Sequence, residues 1–169
     1  QHAGEVRAIG VSNYDRSQML QAYEALSRQG IPLASNQVEY HLLDRRIEKN
    51  GLLKQCQEMG IRVIAYSPLA QGLLTGKYTP QLPPKGVRGA RISKGRLESI
   101  QGLIVQMRKI GAMHGDKTPA QVALNWIICK GALPIPGAKN QAQAIQNAGA
   151  QGWRLSEDDV ALLDDAADQ

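Results

Sequence analysis

A chain of 169 residues, 43% hydrophobic and 21% charged, has an ordinary globular composition and is large enough to bury a core. No uninterrupted apolar run reaches the roughly 18 residues of a membrane span, and no signal-peptide pattern is present, so no membrane partner is expected. The formal charge of +5 is scattered or gathered in one loop (Lys85, Arg88, Arg91, Lys94, Arg96), without interleaved aromatics or a zinc-finger or RNA-recognition motif, so nucleic acid is not the expected partner. A phosphate-bearing small molecule accounts for that loop, and a solvated surface loop accounts for it more simply.

Cys56 and Cys129 are far apart and lack neighbours at metal-ligand spacing, which predicts reduced thiols, a cytoplasmic or plastid-stroma location and no metal site. The chain opens on Gln1-His2-Ala3-Gly4, within a few residues of a strand, as a piece of a longer polypeptide would. Any targeting segment would then be lost.

Val6 to Ser12 reads as a short apolar strand, with Asn13 and Asp15 as helix caps after it. Met19, Ala22, Tyr23 and Leu26 recur at helical spacing, and Gly30 ends that helix. Leu33 to Tyr40 predicts a second strand. Gly51 to Met59 predicts a helix with Leu52, Leu53, Cys56 and Met59 on one face.

A third strand, Arg62 to Tyr66, opens the most informative stretch, Ile61 to Tyr78. Ser67-Pro68 stops it, because proline has no N–H for a sheet ladder and restricts its predecessor. A glycine-punctuated loop ending in Gly76-Lys77-Tyr78 follows. An aromatic at a strand's carboxyl end, followed by hydroxyl, glycines and lysine, suits a flat heterocycle joined to phosphates. A plain strand-to-loop exit with a surface lysine is the bland reading.

From Tyr78 to Lys94 the sequence is aperiodic and rich in proline, glycine and arginine, a loop long enough to suggest a role. One helix is predicted over Arg96 to His114, striped by Ile100, Leu103, Ile104, Met107 and Ile110. Thr118-Pro-Ala-Gln121 forms a capping box for the next helix. A fourth strand is predicted over Gly131 to Pro136, then a turn from Gly137, a helix Asn140 to Ala148, and a last helix capped at Ser156 that carries Val160, Leu162 and Leu163.

Alternating strands and helices with short connections predict an α/β fold with a parallel sheet. Four such units are half of a (β/α)8 TIM barrel, which in full needs about 250 residues. An open doubly wound sheet is the alternative, but no G-x-G-x-x-G follows any strand.

Ser12-Asn13, Asn36-Gln37, Tyr66-Ser67 and Gly137-Ala-Lys139 all fall at or just beyond strand carboxyl ends, the ligand face of parallel α/β folds. Taken singly, they read as caps and strand-end hydrogen bonders. Together they offer amides for a carboxamide, an aromatic for stacking and a lysine for a phosphate.

Four ordered stretches, GVSNY (Gly10 to Tyr14), NQVEYHLLDR (Asn36 to Arg45), AYSPLAQGLLTGKY (Ala65 to Tyr78) and IPGAKNQAQAIQNAGA (Ile135 to Ala150), resemble the aldo-keto reductases. The resemblance is to the branch with plant and cyanobacterial enzymes and the potassium-channel β subunits. It implies the C-terminal half of a (β/α)8 barrel, a single incomplete domain over 1–169, from an enzyme that binds NADPH and reduces aldehydes or ketones.

By that resemblance, Ser12, Asn13 and Gln37 would hold the nicotinamide carboxamide and Tyr66 would stack on its ring. Ser67, Leu69, Gln71, Lys77 and Arg88 would line the pyrophosphate. Gly137, Lys139, Gln143 and Asn147 would surround the adenosine and its 2′-phosphate, and Gln146 stands where many relatives have glutamate. The family's catalytic aspartate, tyrosine, lysine and histidine belong to earlier strands, so no catalytic residue is assigned here. His2, His41 and His114 lie in other contexts. A half-barrel has unpaired edge strands and an uncovered inner face, expected to be apolar, so self-association or pairing with a complementary half is expected. A nucleotide-binding module without chemistry and a truncated remnant are the alternatives.

Overall fold

The computed structural model describes residues 4–86, 89 and 92–168. Its centre is a four-stranded parallel sheet in sequential order: β1 (Ile9–Ser12), β2 (Leu33–Glu39), β3 (Arg62–Tyr66) and β4 (Leu133–Pro134). Parallel neighbours need crossover segments, and these are helices. They are α1 (Arg16–Ser27) and, between β2 and β3, α2 (Arg46–Lys49) and α3 (Leu52–Glu58). Between β3 and β4 come a 3-10 segment over Ala70–Thr75, then α4 (Lys94–Ser99), α5 (Gln101–Met113) and α6 (Pro119–Cys129). After β4 follow α7 (Gln141–Ala148) and α8 (Glu157–Ala167).

The register sorts the two faces of the sheet. Ser12, Gln37, Ile64 and Leu133 lie in one row, Gly10, Ser35 and Arg62 in another, and Glu39 pairs with Tyr66. Side chains alternate along a strand, so all of these share one face. That face is half-buried or open throughout. The opposite face, with Asn36, Val38, Val63 and Ala65, is buried. The inner face is therefore mixed in character rather than apolar. Ser12, Ser35, Gln37, Glu39 and Arg62 dominate it, and only Ile64, Tyr66 and Leu133 add apolar surface.

The core lies between the buried face and the helices. Leu103, Ile104, Met107 and Ile110 of α5 meet Val122, Ala123, Trp126 and Ile127 of α6 there. Trp126 is fully buried, with its ring centroid 5.1 Å from that of Tyr40. Capping fixes where helices begin: Asp15 with Gln18, Thr118 with Gln121 and Ser156 with Asp159 form reciprocal boxes.

Four local expectations need correction. The helix predicted over 96–114 is two, beginning at Lys94 on a Ser93 cap and breaking at Ile100. There the Ser99 hydroxyl donates to Arg96 O and the Gln101 amide to Leu97 O, both competing with the helical ladder. β4 spans two residues rather than Gly131 to Pro136, because Pro134 and Pro136 carry no N–H. β1 starts at Ile9 rather than Val6, beside a register irregularity at Ile9/Gly10. Leu162 of the last helix is 48% exposed, while Leu163 and the capping Asp159 are buried.

Candidate functional site

β1, β2 and β3 end side by side, and their last residues are tied together. Asn13 is held in the left-handed region at φ 58°. Its N–H donates to Gln37 O at 2.8 Å, and the Ser12 hydroxyl donates to the same carbonyl at 3.1 Å. The Asn13 side-chain amide donates to Ser12 Oγ at 3.3 Å, and its Oδ1 accepts from Tyr66 Oη at 3.0 Å. Ser12, Asn13, Gln37 and Tyr66 thus form one continuous rim of hydroxyl, amide and aromatic groups. Asn36, one residue before Gln37, is fully buried behind it and donates from Nδ2 to Tyr14 O at 2.9 Å.

Beyond Tyr66 the chain turns through consecutive unusual conformations. Ser67, Ala70 and Gln71 have φ of 51°, 47° and 55°, and Gly72 has 97°. Ser67 O and Leu69 O accept from the N–H groups of Ala70 and Gly72, each at 2.8 Å. Gly72 supplies the φ of 97° that the turn requires, and Lys77 Cε and Nζ come within 3.4 Å of where its side chain would lie. Lys77 Nζ lies 4.7 Å from the centroid of the Tyr78 ring. Arg88 lies outside the described residues.

A second cluster sits at the start of α7. Asn140 caps it by accepting from Gln143 N at 2.9 Å, and Gln143 Oε1 accepts from Lys139 N at 2.8 Å. Asn147 Nδ2 donates to Gly137 O at 3.3 Å. Lys139 and Gln143 are thus tied to each other, and Gly137 to Asn147, by two separate links around the start of the helix. The cluster's distance from the first rim is set by the β3–β4 pairing, where Ile135 N donates to Ala65 O at 3.0 Å.

Next to the rim lies a charged group that the sequence did not single out. Glu39 sits on the open face. His41 is buried, with Nε2 3.6 Å from Glu39 Oε1 and Nδ1 accepting from Leu43 N at 3.2 Å. Burial holds the His41 pKa below its ordinary value, against the opposing pull of Glu39 and Asp44. Asp44 is kept low by the Arg46 guanidinium. Away from the rim, Glu48 and Asp164 share Arg45 and Lys130, and Trp126 Nε1 donates to Asp164 Oδ1 at 2.9 Å. Arg45 and Glu48 are three residues apart, but Lys130 and Asp164 join them from far along the chain and leave no local motif.

No metal-binding group of histidine, cysteine and carboxylate side chains is present among the described residues, and no helix among them is long and apolar enough to cross a membrane. Cys56 and Cys129 are free thiols. Burial pushes the Cys56 thiol up to about 11.

Residues 1–168 match the profile of the aldo/keto reductase family. A chloroplastic pyridoxal reductase of Arabidopsis thaliana is 42% identical over 164 residues, covering 97% of this chain and 44% of its own length. An aldo-keto reductase of Schizosaccharomyces pombe, named with NADP(+), is 32% identical over 174 residues, covering 98% of this chain and 49% of its own. Among solved structures, a glycerol dehydrogenase from Gluconobacter oxydans superposes with a TM-score of 0.83 at 28% identity, over 98% of this chain and 50% of that one. A thermostable aldo-keto reductase in complex with the inhibitor epalrestat gives 0.74 at 31% identity, over 98% of this chain and 50% of that one. The chain spans about half the length of the relatives it matches. With its four parallel strands in sequential order and helices between them, the chain belongs to the aldo/keto reductase family of oxidoreductases and has the fold of half a (β/α)8 barrel.

Proposed function

We propose that this chain is the NADPH-holding half of an aldo-keto reductase acting on aldehydes or ketones. The observation that carries the reading is the rim in which Ser12, Asn13, Gln37 and Tyr66 are joined by hydrogen bonds at adjacent strand ends. Its donor set suits a nicotinamide: amides and a hydroxyl for the carboxamide, and a phenol ring for stacking. Ser67, Leu69, Gln71 and Lys77, with Arg88, would bind the pyrophosphate, where left-handed backbone brings N–H groups and a cation close. Gly137, Lys139, Gln143 and Asn147 would hold the adenosine and its 2′-phosphate at the start of α7. When bound, the reduced nicotinamide supplies the hydride. The chain's own residues orient its ring, and the proton donor comes from strands outside this chain.

An aldehyde or ketone substrate is the natural class, and the Arabidopsis relative is named for an aldehyde, pyridoxal. That relative is also named chloroplastic, which supports the plastid stroma of the two expected locations, plastid stroma and cytoplasm. The half-barrel would be completed by a complementary half or by self-association.

Titration with NADPH, followed by its fluorescence, is expected to be saturable, with no aldehyde-dependent NADPH oxidation by the 169-residue chain alone. Binding without turnover in a full-length barrel as well would favour a nucleotide-binding module. Absence of binding to a folded chain would overturn the reading.

A further inference from the structure

Asn36 is the one residue on the buried face of β2 whose polarity needs explaining. It is fully buried, and in the register it lies between Val11 and Val63. Its Oδ1 meets no hydrogen-bond donor among the described residues. A valine or leucine would suit such a place by burial alone, since a buried acceptor without a partner is costly.

What the amide does is local. Nδ2 donates to Tyr14 O at 2.9 Å, reaching from β2 across to the turn that leaves β1. One residue earlier in that turn is Asn13, at φ 58°, a conformation that L-residues rarely adopt unaided. Asn13 N–H is at the same time held by Gln37 O at 2.8 Å, the carbonyl of Asn36's neighbour. The turn is thus pinned on both sides by adjacent residues of β2, and between the pins the Asn13 carboxamide is aimed at Ser12 Oγ and Tyr66 Oη.

We propose that Asn36 is a positioning residue: its buried amide holds the Ser12–Tyr14 turn in the left-handed form that presents Asn13 to the ligand and to Tyr66. The effect on cofactor affinity rests on reading that rim as a nicotinamide site. The effect on the turn does not. Asn36 acts through Asn13 and touches no substrate.

The test is Asn36→Leu in the full chain, with two readouts. Leucine keeps the branched outline and removes the donor and the orphan acceptor together, which offsets its bulkier methyl groups and the bond lost by Tyr14 O, so the urea midpoint is expected to stay close to that of the parent. Amide hydrogen exchange at Asn13 is expected to speed up, by roughly tenfold for a lost hydrogen bond, while the amides of α5 and α6 keep their protection. NADPH affinity is expected to fall by about the same factor in the parent background. It should not fall further in Asn13→Gly, which accepts positive φ but has no carboxamide.

Unchanged exchange at Asn13 overturns the proposal, whatever happens to binding. Uniformly faster exchange with a lowered midpoint would also overturn it, since that is the signature of ordinary core damage. If the parent chain does not bind NADPH but Asn13 exchange accelerates as stated, the site reading fails and the positioning role stands.

Discussion

Asn13, Ser67, Ala70 and Gln71 take φ of 58°, 51°, 47° and 55°; the first two follow directly on strand carboxyl ends and the other two lie in the 3-10 segment after β3. Non-glycine residues in that region carry strain of order 1 kcal/mol each. Such conformations persist where neighbouring contacts over-determine them, as the carbonyls of Gln37, Ser67 and Leu69 do here.

Away from this rim, Glu48 is the residue with the clearest titration. Burial by itself would push its carboxyl up, but hydrogen bonds from Arg45 and Tyr40, with Lys130 nearby, outweigh it and hold the group below 4.5. Burial, with the Glu48 carboxylate beside it, pushes the Tyr40 phenol well above its ordinary range, against the opposing pull of Arg45. With the folded value lowered, the unfolded chain takes up the proton first as pH falls. Glu48 therefore contributes fully above about pH 4.5, and that contribution is lost as pH drops through the folded value. Glu48→Gln is expected to cost about 1.5–3 kcal/mol at pH 7, the range for hydrogen bonds to a charged group. The gap to the parent should narrow in urea titrations stepped from pH 6 to about pH 3.5. A constant gap across that window would mean that the charge is not what matters.

At the scale of elements, the packing of α5 against the start of α6 depends on one missing side chain. A Cβ on Gly111 would sit 2.0 Å from Lys117 O, a backbone atom that cannot swing aside. The same carbonyl belongs to the turn whose Lys117 N donates to Gly111 O at 2.9 Å and whose Thr118 caps α6. Gly111→Ala is expected to cost about 1–3 kcal/mol or more by overpacking. Gly102, in the same helix, has nothing within 4 Å of its would-be Cβ. Gly102→Ala should instead add about 0.5 kcal/mol through helix propensity. Opposite shifts in the urea midpoints of these two variants are the expected result, and equal shifts would refute the packing account.

For the whole molecule, the decisive feature is an uncovered sheet. Among the described residues β1 and β4 each pair on one side only, and the face bearing Ser12, Gln37 and Tyr66 is open or half-buried. Leu133 and Ile135 by the β4 edge are 50% and 43% exposed. Unpaired strand edges beside apolar surface invite association. The isolated 169-residue chain is therefore expected to elute from size exclusion as concentration-dependent oligomers, and to become smaller on adding a complementary half-barrel that pairs with it. A single monomeric peak at all concentrations with a sharp melt would count against this. Because the open face is polar at Ser12, Ser35, Gln37, Glu39 and Arg62, association should be reversible rather than end in precipitation.

By itself the sequence determined the element types and which polar residues stand at the strand ends. Hydrophobic period, the capping box at Thr118, the cap at Ser156 and the strand stop at Pro68 act over a few residues, so they can be read locally. The motifs around Ser12, Gln37, Tyr66 and Lys139 were legible for the same reason: each lies within a few residues of its strand's end. Only the tertiary structure decided that Asn13 accepts a hydrogen bond from Tyr66, 53 positions away, and that Asn36 grips Tyr14 from behind. It also decided that Glu48, Lys130 and Asp164 share one charge cluster, and that the inner face is more polar than apolar. These are pairings between strands and helices distant in sequence, and sheet register and helix packing together bring them within reach of each other.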